Sequence, residues 1–282
     1  MFFMPKTVYY NGKFYGKGRA VLPISDRSIF FGDAVYDAVI GRGGRLFLLD
    51  DHLERLLGNS RRLELVPSYT FEQLSDISYN VVKKSRLAEY FLYIQLSRCA
   101  PERAHAYPDE QKTALLITVS PFVLAPPEKR LKLITAEDKR YGFCDVKTVN
   151  LLPAVLASHR AASVGCDEAI FVRDGIVTEC AHSNIAILKD GAIITHPDSP
   201  KILPGIAKKR LLAVAADERI EVCERPFSVD ELFSADEVLV TSTTKICLAA
   251  CEINGSSVGG KDGKILQKLQ EKLFFEYKNY IM

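Results

Sequence analysis

Four two-residue turns constrain this chain more than any other feature. Asn11-Gly12, Gly43-Gly44, Asp174-Gly175 and Asp190-Gly191 each stand between β-rich apolar runs. Such pairs accept the left-handed backbone that a tight hairpin needs. Strands joined this way run antiparallel, whereas a parallel pair needs a long crossover. No Gly-x-Gly-x-x-Gly follows a strand and no Gly-x-x-x-x-Gly-Lys-Ser/Thr occurs. Dinucleotide and nucleoside-triphosphate sites of those kinds therefore have little support. Helical stretches separate the hairpins. The pattern predicts an α+β chain with mixed or antiparallel sheets and flanking helices.

The elements follow from local signals. Val8–Tyr10 and Lys13–Tyr15 flank the first turn. Phe30–Tyr36 leads into a second strand pair, and a helix with an Asp N-cap begins at Asp50-Asp51. Leu53, Leu56, Leu57 and Leu63 share its apolar face. Thr70 and Gln73 make a capping box for a helix reaching Ser85. Strands are expected at 90–96, 113–119, 131–135, 219–223 and 237–241, a hairpin at 184–194, and helices at 154–165, 206–217, 228–234 and 263–280. Prolines 121, 126 and 127 favour stiff, extended chain. They divide a smaller N-terminal domain, 1–120, from a larger C-terminal domain, 128–282, through a linker at 121–127.

Composition narrows the partners. The 282 residues are 48% hydrophobic and 26% charged, a globular balance. A formal net charge of +2, without a basic block, gives no footprint for nucleic acid. No run approaches the roughly 20 apolar residues of a membrane helix, and the start is too short and polar for a signal peptide. A cytoplasmic location is the simple expectation. The cysteine count is seven, an odd number without Cys-x-x-Cys. Buried free thiols suit this better than a disulfide frame, and no metal site is expected.

Taken singly, the candidate site residues also have plain structural readings. Gly205 before a helix can be a turn or an anion site. Thr241-Ser242-Thr243-Thr244 after a strand can be a solvated loop or a phosphate grip. Lys147 can be a surface charge, and Arg55 a helix-face cation beside Asp51. Glu179 can close a strand, and Arg103 and His105 can be exposed loop residues.

Together these segments resemble the class IV (fold type IV) pyridoxal-phosphate aminotransferases over nearly the whole chain. The carrying stretches are His52-Leu-Glu-Arg55-Leu, Asp145-Val-Lys147 with Asn150-Leu-Leu, Thr178-Glu179 with Ser183-Asn184, Leu203-Pro-Gly205-Ile206, and Thr241-Ser-Thr-Thr244. The resemblance implies pyridoxal 5′-phosphate as cofactor, held in the larger domain, and Lys147 as the Schiff-base lysine and proton carrier. It pairs Glu179 with the pyridine nitrogen. It puts the phosphate on Arg55, the backbone of Ile206 and Ala207, and the hydroxyls of Ser242 and Thr243. Arg103-Ala-His105 resembles the D-amino acid aminotransferase branch, where this pair and a tyrosine placed like Tyr36 hold the substrate α-carboxylate. A guanidinium fork suits a carboxylate. In that branch the pair reaches into a partner's site, which implies a homodimer. The implied reaction moves amino groups between D-alanine, or other D-amino acids, and 2-oxoglutarate. The branched-chain aminotransferases and aminodeoxychorismate lyases of the family are the alternatives.

The chain departs from similar enzymes at three positions. Ala207 stands where a threonine is usual, Cys180 where a glycine is, and His182 where a small hydroxyl residue is. Ala38, Ile40, Arg42 and Thr244 are expected to border the substrate side-chain pocket.

Overall fold

The hairpin turns adopt the backbone their dipeptides allow. In the computed structural model, which describes residues 6–16, 20–109 and 112–281, Asn11, Asp174 and Asp190 have φ of 42°, 53° and 51°. Each is followed by a glycine with φ between 75° and 85°. The chain forms two compact units.

The first unit is built on one sheet. Strands β1 (Thr7–Tyr10), β2 (Lys13–Gly16), β3 (Ala34–Arg42), β4 (Arg45–Leu46), β5 (Glu89–Cys99) and β6 (Lys112–Pro121) lie in the order β2-β1-β6-β5-β3-β4. Every pairing is antiparallel. A short helix, α1 (Ser28–Phe31), precedes β3, and α2 (Leu49–Arg62) and α3 (Phe71–Ser85) follow β4. Leu53 and Leu56 of α2 and Leu74 and Val81 of α3 are fully buried in one core with Val35, Val39, Leu92, Ile94 and Ile117 of the sheet. Leu57 and Leu63 pack against its rim.

The helix starts show local and tertiary control side by side. Thr70 caps α3 as expected: its hydroxyl accepts from the Gln73 N–H at 3.3 Å, and the Gln73 side chain accepts from the Thr70 N–H at 2.9 Å. The expected Asp N-cap of α2 does not form. The helix starts earlier, at Leu49, with Leu48 in a left-handed conformation and no side-chain cap. Leu49 is buried in the core, and its burial sets the start. Asp50 and Asp51 lie inside the first turn, where their charge favours the positive helix end.

Two later stretches belong to the first unit. It takes in Val146–Asn150 and the residues from Asn279, which a division at 121–127 alone would leave in the second. Thr148 forms a β-bridge with Val35, and the Tyr36 N–H donates to the Lys147 carbonyl at 2.9 Å. The Asn150 amide donates to the Gly32 carbonyl at 3.0 Å. Tyr280 sets its ring edge-on to Phe47, with centroids 5.4 Å apart.

The second unit comprises Leu124–Asp145 and Leu151–Lys278. Its strands are β7 (Arg130–Glu137), β8 (Glu168–Arg173), β9 (Ile176–Cys180), β10 (Asn184–Lys189), β11 (Ala192–Thr195), β12 (Val222–Glu224), β13 (Phe227–Ser228), β14 (Glu237–Thr241), β15 (Leu248–Ile253) and β16 (Ser256–Ser257). They form a mixed sheet in the order β12-β11-β10-β14-β15-β7-β8-β9-β13, with β16 beside β15. The pairs β11–β12, β15–β7 and β7–β8 are parallel. The helices are α4 (Leu152–Ser163), α5 (Ile206–Asp217), α6 (Val229–Ser234) and α7 (Gly263–Ile281), whose last turn lies in the first unit. Ser228 and Glu231 form a reciprocal capping box at α6.

All seven cysteines are free, but only Cys180 and Cys247 are fully buried; the others are half-buried. Among the described residues no helix is long and apolar enough to cross a membrane.

Leu53 has no exposed surface. Leu53→Ala removes buried methyl groups and opens a cavity, which should cost about 2–5 kcal/mol. Urea denaturation should show this as a lower midpoint.

Candidate active site

Strand β3 organises the first unit's polar groups. Alternate residues of a strand face opposite ways, so Tyr36 and Asp37 point to different sides. Asp37 is completely buried. Its carboxylate accepts from Arg55 Nε and Nη2, both at 2.9 Å, from His52 Nδ1 at 2.6 Å and from the Ala38 N–H at 2.8 Å. Burial pushes the Asp37 carboxyl up, but Arg55 and His52 outweigh it and hold the group well below the usual carboxylate range. Burial also lowers the His52 imidazole from its ordinary 6.5, against the pull of Asp37. Asp37 thus aims Arg55 from beneath. Sequence reasoning missed it, although an acid inside the apolar run Ala-Val-Tyr-Asp-Ala-Val-Ile is a signal.

On the other side of β3, Lys147 Nζ lies 3.3 Å from the Tyr36 hydroxyl and 4.3 Å from its ring centroid. The Tyr36 ring stacks on Tyr93 at 5.2 Å. The structure therefore brings Lys147 and Tyr36 together, on a segment held by β3. Ala38 is half-buried, Ile40 has no exposed surface, and Arg42 is exposed and pairs with Glu89 at 3.3 Å. Arg103 and His105 lie on an exposed loop after β5.

The second unit holds Glu179 at the end of β9. It is buried, and its two oxygens accept from the Leu203 N–H, each at 3.2 Å, and from the Asn184 amide at 3.1 Å. Arg140 Nη1 donates to it in a very short contact. Arg140 is itself forked onto Asp138 at 2.9 and 3.0 Å, and Arg173 reaches the same Asp138 at 3.2 Å. Glu179 thus ends a row of alternating charges that holds its carboxylate in place. The remote partners Arg140 and Asp138 have no sequence signal: Asp-Lys-Arg at 138–140 reads as a surface charge run.

Asn184 links Glu179 to α5. Its amide also donates to the Leu203 carbonyl at 2.8 Å, just before the Pro204-Gly205 helix start. A Cβ on Gly205 would overlap the Asn184 side chain, so glycine is required there by close approach. Helix α5 has Gly205 as N-cap and no side-chain cap. The first-turn N–H groups, including those of Ile206 and Ala207, form an uncapped donor set suited to a phosphate. Thr241 lies opposite Asn184 in the β10–β14 register. Ser242 and Thr243 follow directly, with Ser242 Oγ 3.3 Å from Thr244 Oγ1. Lys208, in the first turn of α5, is buried and spent on the His196 carbonyl and Asp198, each at 2.9 Å.

A second buried acid joins the two loops beside these groups. Glu168 accepts from the His182 N–H at 2.7 Å, Ser183 Oγ at 2.9 Å and Lys245 Nζ at 2.9 Å. This ties the turn after Glu179 to the loop after β14. Cys180, one of the departures noted above, is buried, and burial holds its thiol well above its ordinary value.

The fold matches solved aminotransferases of fold type IV. A branched-chain aminotransferase of Thermoproteus uzoniensis, solved with norvaline, superposes with a TM-score of 0.88 at 23% identity, covering 98% of this chain and 97% of that one. The branched-chain aminotransferase of Escherichia coli gives 0.86 at 20% identity, covering 99% and 96%. The amino-transferase class IV family matches residues 34–253. D-alanine aminotransferase of Staphylococcus haemolyticus is 35% identical over 94% of this chain and 95% of its own length. That of Bacillus licheniformis is 32% identical over 94% and 95%. The chain belongs to the class IV aminotransferases, and is a pyridoxal-phosphate-dependent transaminase. Residues of the second unit fit parts of that cofactor: a fixed carboxylate suits a ring N–H and an uncapped helix start suits a phosphate.

The folded values of Asp37 and His52 both lie below their ordinary ones, so protonation of either favours the unfolded chain. His52 contributes stability above its ordinary 6.5, lost as pH falls below it. Asp37 contributes above about 3.9, lost on further acidification. Asp37→Asn leaves Arg55 without its buried counter-charge and should cost about 3–5 kcal/mol at neutral pH. It should also flatten the loss below about pH 4. Urea midpoints from pH 8 to pH 3 check both.

Proposed function

We propose that this aminotransferase is a D-amino acid transaminase, transferring the amino group of D-alanine and other D-amino acids to 2-oxoglutarate to give pyruvate and D-glutamate. The observation that carries the reading is Arg103-Ala-His105 on an exposed loop, with Tyr36 beside Lys147. The relatives named D-alanine aminotransferase, 32–35% identical over 94% of the chain, support the same reading.

When bound, pyridoxal phosphate supplies a carbonyl carbon for amine exchange and an electron sink for the substrate Cα. The chain's residues do the rest. Lys147 Nζ would take the Cα proton and deliver it to the carbon that carried the cofactor's carbonyl, as general base and then acid. The Tyr36 hydroxyl, 3.3 Å from Nζ, steadies that amine. Glu179, braced by Arg140 and Asn184, keeps the proton on the ring nitrogen. Arg55, the first N–H groups of α5, and Ser242 and Thr243 grip the phosphate. Ala207 lacks the hydroxyl of its usual counterpart, so its contribution is the backbone donor alone. Arg103 and His105, with Tyr36, bind the substrate α-carboxylate; the active unit is a homodimer in which each subunit lends this pair to the other.

With D-alanine and 2-oxoglutarate the enzyme should form pyruvate, and with L-alanine it should not. Pyruvate from the L-isomer alone would overturn the stereochemistry and favour a branched-chain type of aminotransferase. Lys147→Ala should lower kcat at least about a hundredfold. Sedimentation should show a dimer under assay conditions; a fully active monomer would refute the shared site.

A further inference from the structure

The loop carrying Arg103 and His105 is exposed from Pro101 to Asp109, and such a segment has little packing to hold one shape. Two of its consecutive carbonyls are nevertheless fixed from beneath. Arg27 is 5% exposed. Its Nη1 donates to the Ala104 carbonyl at 2.5 Å and its Nη2 to the His105 carbonyl at 3.1 Å, while its Nε donates to Asp33 at 2.7 Å. A buried guanidinium needs acceptors somewhere; what matters is that this one takes the carbonyls on either side of the His105 Cα, two residues past Arg103.

Arg27 is itself anchored. Its N–H donates to the Arg98 carbonyl at 2.9 Å, and the Ala100 N–H donates to the Ser25 carbonyl at 3.0 Å. The buried Asp26 carboxylate accepts from Ser28 Oγ at 2.7 Å and Ser97 Oγ at 2.8 Å. The Phe31 ring completes the mount. Arg27 lies 4.5 Å and Arg103 5.1 Å from its centroid, and the His105 ring is tilted against it at 5.3 Å. Further along the loop, Arg98 lies 3.7 Å from the Tyr107 ring centroid and donates to Asp33 at 3.0 Å.

We infer that Arg27, with Phe31, is a positioning residue for substrate recognition: it sets the backbone at 104–105 so that Arg103 and His105 meet a carboxylate ready-formed. The inference rests on the carboxylate role of that pair given under Proposed function. Arg27 transmits order from β5 to the loop without touching the substrate. Its loss should therefore weaken binding of every α-carboxylate substrate alike and spare the chemical step.

Arg27→Lys keeps a cation beside Asp33, but one ammonium does not reproduce a planar fork onto two carbonyls. In the holoenzyme, KM for both D-alanine and 2-oxoglutarate should rise by about tenfold or more, since small misplacements of positioning groups cost up to about a hundredfold. The kcat should change by less than about threefold, because the group is absent from the chemical step. Hydrogen exchange followed by mass spectrometry should show faster exchange in the peptide spanning 101–107 and no change in β3. Arg103→Ala is the reference. If its KM values are those of the parent enzyme, the carboxylate reading falls. If Arg103→Ala raises KM while Arg27→Lys leaves both KM and exchange at 101–107 unchanged, the positioning role alone is overturned. Should Arg27→Lys not fold, Phe31→Leu, which removes the ring and keeps the fork, carries the same test: KM is expected to rise, and unchanged KM with unchanged exchange refutes the mount.

Discussion

A carboxylate buried in the middle of a strand has to be matched, and matching Asp37 decides much of the first unit. Its two oxygens receive Arg55 through two nitrogens and His52 through one, both from α2. Only one placement of α2 over β3 satisfies all three bonds, because a guanidinium fork and a carboxylate have fixed geometry. The apolar contacts of Leu53 and Leu56 would tolerate sliding; the charge pair does not. A buried pair of this kind adds little net stability against a hydrophobic alternative. Here it sets direction: Arg55 is aimed by a residue adjacent in sequence to Tyr36, which lies beside Lys147.

The second unit solves a similar problem with different parts. Glu179 is braced by Arg140, Asn184 and the Leu203 N–H, and Arg140 is braced in turn by Asp138. Glu179 is held by an arginine whose own orientation is fixed by a further acid, while Asp37 and Arg55 hold each other. Such nested support keeps a functional group within the narrow tolerance that chemistry on a bound cofactor demands. The same logic recurs at Arg27, where the supported object is a stretch of backbone.

What can be read from the sequence is what depends on near neighbours. The turn dipeptides, the Thr70–Gln73 capping box and α5 from Ile206 to Asp217 need only a few adjacent residues. The first turn of α2 is not legible, because the burial of Leu49 overrides the local preference for an aspartate cap. Strand β15 is also hidden. Its Leu-Ala-Ala-Cys-Glu-Ile carries little β-propensity, and it is a strand because β14 and β7 flank it. Tyr36, Lys147, Glu179 and Gly205 are legible as a family pattern. Their supports are not: Arg140 and Glu179 are 39 residues apart, and Arg27 and Ala104 are 77 apart.

The first unit is assembled from three separate stretches of chain, and this bears on how the protein reaches its native state. A polypeptide emerging in order could complete its leading portion before the rest appears only if that portion were continuous. Here the edge of β3 waits for Val146–Asn150, and Phe47 waits for Tyr280. Closing loops of that length is slow relative to forming hairpins. The leading sheet therefore spends synthesis with an open backbone edge and an uncovered aromatic ring. The residue that finishes its β3 edge is Thr148, next to Lys147, so the Lys147 amine reaches its place beside Tyr36 only after chain well beyond the leading sheet has been made.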